Sequence, residues 1–345
     1  MNEPLNDPKA RASAVRLALM YQAAKALYVA VTLGIPDHIA AGRNTVAAVA
    51  AASAAHPDAV RRLLRALAAF DVVLQRESDE FVLTAVGETL RSDVAHSVRP
   101  LILMFGSEHS WEMFESLGEC IRTGKNAFAL RYGLQSSFAY LADKPELATI
   151  FNAGMSAVSV ATGPALARAY DFSKVEHVID IGGGRGMVLA ALLTAHAHLR
   201  ASLFELPRVI EGVEAEMERF GRRFVAIGGD MFETVPHGAD CYLLSHVVHD
   251  WDDTRAIMIL TNCRRAMPRG ARLLILDRIM PEIIEASPLM QGNVMLDLTM
   301  LVRTGGGRER TRAEFETILA AAGLRLYAIN SLKATPDSLL EAGAL

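Results

Sequence analysis

Val178-Ile179-Asp180-Ile181-Gly182-Gly183-Gly184-Arg185-Gly186 is an apolar run that ends in a cluster of glycines, and the apolar residues from Met187 onward have helical spacing. A buried strand, a tight turn and a helix form the unit from which parallel sheets are assembled. The same grammar repeats through the remainder of the chain. Strands are expected at 177–181, 202–206, 223–227, 241–247, 272–279 and 324–329, with helices over 187–197, 208–219, 253–267 and 311–322. This is an α/β pattern with a mainly parallel sheet covered on both faces. Such a sheet binds its ligands at the carboxyl ends of its strands, beside the point where strand order reverses.

The glycine turn narrows the ligand. Glycines at a strand-to-helix turn let a ligand approach the backbone, and the helix start offers free N–H groups. No Lys-Ser/Thr follows the glycines, so this is not a P-loop. The dinucleotide fingerprint needs glycines at i, i+2 and i+5. From Gly182 the last position is Met187 and from Gly184 it is Leu189, so that fingerprint fails as well. What remains is Asp180 ahead of Gly182, Gly184 and Gly186. A carboxylate there repels a pyrophosphate and suits a cationic ligand with an ammonium group, such as the methionine portion of S-adenosylmethionine. The plainer alternative is an aspartate that caps a tight turn.

The other strand ends extend this reading. Glu205, in Phe204-Glu205-Leu206-Pro207, can accept from both ribose hydroxyls, a device shared by adenosyl and dinucleotide sites; a surface glutamate is the alternative. Gly228-Gly229-Asp230-Met231-Phe232 offers a carboxylate for an adenine amino group and apolar side chains for its ring faces, or else an ordinary turn aspartate. The fourth strand runs into Ser245-His246-Val247-Val248-His249-Asp250-Trp251-Asp252-Asp253. His249 falls just past a central strand, and an imidazole near its ordinary pKa of about 6.5 suits a general base. His246 and His249 lack a convincing third ligand, so no metal is expected.

The first third reads as helices. Apolar spacing predicts a helix over 14–33, stopped by Gly34-Ile35-Pro36. Thr45 caps another that runs to Ala52, and Pro57-Asp58 opens a third, with Val60, Leu63, Leu64 and Leu67 on one face. Strand-like pieces at 72–75 and 80–84 complete the outline of a winged helix. Arg61, Arg62 and Arg65 invite a DNA-binding reading, but residues 1–100 hold 11 basic and 10 acidic residues. A nucleic-acid reader shows a clearly basic face. Pairing with another subunit fits these apolar helices better. From 100 to 170 the pattern stays helical and rich in Met, Phe and Trp, the material of a core or of a pocket wall. The expected organisation is 1–100, a dimerisation domain; 101–170, a helical linker lining an acceptor pocket; and 171–345, a cofactor-binding domain.

Whole-chain composition agrees. The 345 residues are 51% hydrophobic and 21% charged, with a net charge of −4, which argues against disorder and against nucleic acid or anionic membrane as partners. The polar start MNEPLNDPKARAS is not laid out as a signal peptide, and no uninterrupted apolar run reaches about 18 residues. Cys120, Cys241 and Cys263 have no metal spacing, and Cys241 and Cys263, in apolar surroundings, read as buried free thiols. A soluble cytoplasmic protein is expected.

Taken together, 180–186, 204–207, 228–232, 244–253 and Gly305-Gly306-Gly307-Arg308-Glu309-Arg310-Thr311 resemble the class I S-adenosylmethionine-dependent O-methyltransferases, as does Phe151-Asn152-Ala153-Gly154-Met155-Ser156. More narrowly, they are similar to the dimeric, winged-helix-bearing group of plant caffeate enzymes and bacterial antibiotic and pigment methyltransferases. The resemblance implies a Rossmann-like methyltransferase domain with a seven-stranded sheet. It implies S-adenosylmethionine as donor and S-adenosylhomocysteine as product, no metal, a homodimer and an aromatic small-molecule acceptor. Carried onto this chain, it makes Gly182, Glu205, Asp230 and Met231 cofactor contacts, with Ser159 and Ser245 as lesser ones. His249 becomes the base, flanked by Asp277 and Glu309, while Met155, Met300 and Thr304 line the acceptor pocket. Three positions depart from the pattern: Glu205 stands where many members have Asp, Ser245 replaces the lysine of plant members, and Asp277 is shorter than the usual Glu. Arg303 is either a solvent-facing helix-end residue or a partner for an acceptor carboxylate. Rivals on the same fold are N-methylation and S-adenosylmethionine-dependent hydroxylation or decarboxylation. A winged-helix ligand-sensing regulator is the rival of another class.

Overall fold

Asp7 caps the first helix, Pro8–Thr32, by accepting from the Lys9 amide at 2.9 Å. With that cap and Pro8 in its first turn, the helix starts six residues before the apolar spacing alone predicted. The computed structural model describes residues 7–333 and 335–345; the first six residues of the polar start lie outside them. The chain folds as two compact units, divided between Trp111 and Glu112.

In the first unit Thr45 caps Val46–Ala52 through the Ala48 amide, and Pro57 opens Pro57–Ala69. Strands β1 (Val73–Gln75) and β2 (Phe81–Leu83) pair antiparallel, completing the winged-helix outline. Val31, Ile35, Val49, Leu64 and Phe81 are buried in its core. Arg61 pairs with Asp79 at 2.8 Å and donates to Ser78 O, so it serves its own hairpin. The first helix leaves Val15, Leu17, Leu19, Met20 and Tyr21 exposed. Among the described residues two helices, Pro8–Thr32 and Pro145–Ala169, are long and apolar enough to pass for membrane spans, although polar residues interrupt both.

In the second unit Pro145–Ala169 leads into the sheet. Its strands are β3 (His177–Ile181), β4 (Arg200–Glu205), β5 (Phe224–Gly228), β6 (Cys241–Ser245) and β7 (Arg272–Asp277), all parallel. A two-residue pair, β8 (Ile279–Met280) with β9 (Arg310–Thr311), stands apart. β10 (Leu324–Ser331) and β11 (Ser338–Ala344) finish the sheet, in the order β10-β11-β7-β6-β3-β4-β5 with β11 antiparallel to both neighbours. β3, β6 and β7 are covered on both faces, which is why they read as unbroken apolar runs. Ile179, Tyr242, Leu244 and Ile275 pack on one face with Asp253–Ala266 and Arg312–Ala321. Val178, Leu243 and Leu274 pack on the other with Met187–Ala195 and the end of Pro145–Ala169. From β3 the chain winds outward to β4 and β5, then returns to place β6 and β7 on the opposite side. The crevice at the carboxyl ends of β3 and β6 is therefore the topological switch.

Three elements differ from expectation. The helix predicted over 208–219 is broken at Gly212 (φ 78°) into Pro207–Ile210 and Val213–Glu216, and a 3-10 turn, Glu218–Arg223, follows with a kink at Gly221 (φ 52°). The strand predicted over 272–279 stops at Asp277, and Ile279 joins the separate small sheet. β11, Ser-Leu-Leu-Glu-Ala-Gly-Ala, carries no strand signal of its own, since Ala, Gly and Glu are weak strand formers. It is a strand because it is slotted between β7 and β10. Cys241 and Cys263 are buried free thiols, as expected, and so is Cys120.

Candidate active site

A cavity of about 510 Å³ opens over the switch, within the usual range for small-molecule sites. Asp180, next to last in β3, is on its wall and fully buried, yet neither carboxylate oxygen has a hydrogen-bond partner. Burial, and then the nearby Glu205, push its carboxyl up to about 7. A buried group left this way is suited to an incoming donor or cation. Gly182 follows with φ 71°, and a methyl group there would press on Val247 at 3.0 Å; at Gly183 it would collide with the Asp180 carboxylate. Both glycines are thus required by the turn that presents Asp180.

The neighbouring strand ends supply the rest of the wall. Glu205 accepts from the Gly184 amide at 3.3 Å and the Leu206 amide at 2.6 Å, which ties the tip of β4 to the glycine turn. Asp230 accepts from the Phe232 amide at 2.8 Å, and the carbonyls of Met231 and Phe232 accept from Asn262. Aromatic residues also face the cavity. Trp251 stacks on Phe138 with centroids 6.0 Å apart and meets Phe232 edge-on at 4.7 Å, while Phe151 meets Phe138 edge-on at 6.0 Å. Flat ring systems fit such walls.

His249 sits in the 3-10 turn Val248–Asp250 that follows β6. Its Nδ1 is 2.8 Å from Glu309 Oε1 and 3.9 Å from Asp277 Oδ1, and its Nε2 is 3.8 Å from Asp250 Oδ1. The sequence reading left this imidazole near its ordinary value, and the structure corrects that. Burial opposes the cation, but the carboxylates of Asp277, Glu309 and Asp250 outweigh it and push the imidazole up to about 10. Burial in turn pushes Asp250 up to about 6 and Asp277 up to about 7, since in both it outweighs the attraction of the imidazolium. The turn itself is clamped from the 306–310 segment. The fully buried Arg310 donates to Val248 O at 2.9 Å, Trp251 O at 2.7 Å and Asp253, and the Arg308 amide donates to His249 O at 2.8 Å.

Asp180, Gly182, Gly184, Glu205, Asp230, Met231, Phe232, Ser245, Ser159 and Met155 are all on the cavity wall. His249, Asp277 and Glu309 are packed together behind it and buried. Met300 and Thr304 are buried off the wall: the Thr304 hydroxyl donates to Met300 O at 2.8 Å and accepts from the Gly307 amide at 2.9 Å, closing the helix Pro288–Arg303. Arg303 is half-buried rather than solvent-facing, 5.7 Å from the Phe151 ring centroid. The sequence reading missed the wall residues Asp250, Trp251, Phe138 and His246. Their signal was present for three of them, since His246, Asp250 and Trp251 flank His249 in sequence, but only the strand end shows that they turn inward. Among the described residues no group of three or more His, Cys, Asp or Glu is arranged to hold a metal.

Residues 114–325 match the O-methyltransferase domain and residues 15–93 the O-methyltransferase dimerisation domain. Phenazine O-methyltransferase PhzM of Lysobacter antibioticus is 38% identical over 308 residues, covering 89% of this chain and 88% of that protein. Mitomycin biosynthesis 6-O-methyltransferase of Streptomyces lavendulae is 38% identical over 324 residues, covering 92% of this chain and 90% of that one. Among solved structures, the O-methyltransferase NcsB1 from neocarzinostatin biosynthesis, in complex with S-adenosylmethionine and 2-hydroxy-5-methyl naphthoic acid, gives a TM-score of 0.75 at 35% identity, covering 93% of this chain and 96% of that chain. Fold, cavity and matches together define the class: S-adenosylmethionine-dependent methyltransferases with an appended dimerisation domain. Within it, the chain belongs to the O-methyltransferase family.

Proposed function

We propose that this enzyme methylates a hydroxyl of an aromatic small molecule of secondary metabolism, working as a cytoplasmic homodimer with His249 as its general base. The observation that carries the reading is the His249–Glu309 bond at 2.8 Å, directly behind a cavity that combines an unpartnered Asp180 with aromatic walls. Asp180, Gly182 and Gly184 hold the amino-acid end of the cofactor, Glu205 its ribose, and Asp230, Met231 and Phe232 its adenine; Ser159 and Ser245 are lesser contacts. The exposed apolar face of Pro8–Thr32 and the match to a dimerisation domain support the homodimer.

The bound cofactor supplies a methyl group on positively charged sulfur. The chain holds the acceptor oxygen in line, excludes water and removes a proton. Alignment alone is worth several kcal/mol. Glu309 accepts from Nδ1–H of His249, which leaves Nε2 to take the acceptor proton. A phenol has a pKa near 10, so a base raised to about 10 receives that proton at little cost once it is itself neutral. Asp277 and Glu309 then stabilise the imidazolium. Met155 touches the acceptor, while Met300 and Thr304 shape its end of the cavity from beneath. Arg303, half-buried beside Phe151, favours an acceptor with a carboxylate on its ring. In the test of this reading, His249→Ala lowers kcat toward a panel of phenols by roughly 10²–10⁴ and leaves S-adenosylhomocysteine affinity unchanged in calorimetric titration. Unchanged kcat would remove the base role.

A further inference from the structure

We propose that Asp297 is a positioning residue for the reaction: by accepting the Glu309 amide it sets the carboxylate that orients His249. The proposal rests on the base reading above. Glu309 acts through the placement of its carboxylate, 2.8 Å from His249 Nδ1. Its backbone belongs to a stretch, 307–309, without regular structure, so bonds from outside that stretch must hold it in place.

The hold is made on successive amides. The Gly307 amide donates to Thr304 Oγ1 at 2.9 Å, the Arg308 amide to His249 O at 2.8 Å and the Glu309 amide to Asp297 Oδ1 at 2.9 Å. Thr304 and Asp297 belong to the end and the middle of the helix Pro288–Arg303, while the remaining acceptor is the backbone of the base itself. The segment is thus tied to the imidazole on one side and to this helix on the other. Only the Asp297 bond acts on the residue that bears the carboxylate.

Asp297 has little other reason to stand where it does. It is mid-helix, where aspartate is a weak helix former, and half-buried. Burial raises its carboxyl above the ordinary range, the Glu309 amide opposes that, and the charges of Glu309 and Glu314 add to it. Arg308 relieves it only in part, since the guanidinium pairs with Asp253 at 2.6 Å and reaches Glu314 at 3.7 Å. A carboxylate accepts an amide proton about twice as strongly as a neutral oxygen does. The same helix face also reaches the second acid by way of its neighbour, because residues four apart share a face. Asn293, one turn before Asp297 and buried, accepts from Arg278 Nη1 at 3.1 Å, and Arg278 directly follows Asp277.

The test measures kcat against pH for methyl transfer to a phenol, with S-adenosylhomocysteine affinity measured alongside by calorimetry. Asp297→Ala frees the Glu309 amide, so the carboxylate drifts from Nδ1 and the imidazolium loses support. Asp277 and Asp250 still face the ring. The rising limb of the profile is therefore expected to move to lower pH, less far than in Glu309→Gln, and the plateau to fall by roughly 10–10². Cofactor affinity stays that of the wild type. Asp297→Asn keeps a side-chain oxygen facing the amide and restores most of the plateau. In a Glu309→Ala background, Asp297→Ala costs little further rate, because the group it acts through is already gone. An equal loss in both backgrounds with the limb unmoved would show a merely structural role and overturn the proposal. So would an unchanged kcat in Asp297→Ala. If that variant does not fold, Asp297→Ser, whose side chain is one atom shorter, is read in the same way. Unchanged kcat in His249→Ala contradicts the base reading itself, a result distinct from failure of the Asp297 variants alone.

Discussion

Three carboxylates surround His249, and they make its proton hard to remove. Below about pH 10 the imidazole is mostly charged, so the neutral base becomes more abundant as pH rises. The rate of methyl transfer to a phenol is therefore expected to climb about tenfold per pH unit from neutrality and to level near 10. A rate flat between pH 7 and 9 would rule out a base raised in this way. Glu309→Gln withdraws one carboxylate, so the rising limb moves to lower pH, while the plateau falls by about 10² or more because Nδ1 loses the anionic acceptor that fixes its tautomer. Stability follows the same group in the opposite sense. The contribution of the His249–Glu309 pair is fully present below about 6.5, the unfolded value, and is lost as pH rises toward about 10. Tm falls over the range in which rate rises. Asp180→Ala removes the unpartnered carboxylate and is expected to weaken S-adenosylhomocysteine binding at least about tenfold, measured by calorimetry. Acids at strand ends were legible in sequence because the α/β pattern says where ligands sit. The charge state of His249 was not, because it is set by Asp277 and Glu309, 28 and 60 positions away.

The 3-10 turn Val248–Asp250 is the element on which the proposed chemistry depends, and Arg310 is its clamp. Arg310→Lys keeps the charge but not the planar fork that reaches two carbonyls and Asp253 at once. It is expected to cost about 1–3 kcal/mol by denaturant titration and to lower kcat with KM for the cofactor unchanged. Elements were readable where their sequence carries the signal: the cap at Thr45, the helix-opening Pro57, and apolar runs at β3, β6 and β7. β11 has no local signal because its place comes from pairing with β7 and β10, and the apolar spacing over 208–219 extends across Gly212, whose positive φ ends the helix there.

The whole chain carries only a small net charge of −4, so electrostatic self-repulsion does little to keep copies apart. In the proposed homodimer the apolar residues exposed on Pro8–Thr32 are then expected to decide association. Leu17→Glu with Met20→Glu, both at exposed positions, is expected to shift sedimentation from dimer to monomer; a dimer unchanged by both charges would place the contact elsewhere. The two compact units also bear on how the molecule can be watched. The chain has two tryptophans, Trp111 in the first unit and Trp251 in the second. Trp251 is the one on the cavity wall, stacked on Phe138, with a buried indole N–H that has no acceptor. The protein thus carries its own fluorophore at the site. In a Trp111→Phe background, intrinsic emission becomes a label-free signal of cavity filling, and an aromatic acceptor can be recognised by quenching before any product is formed.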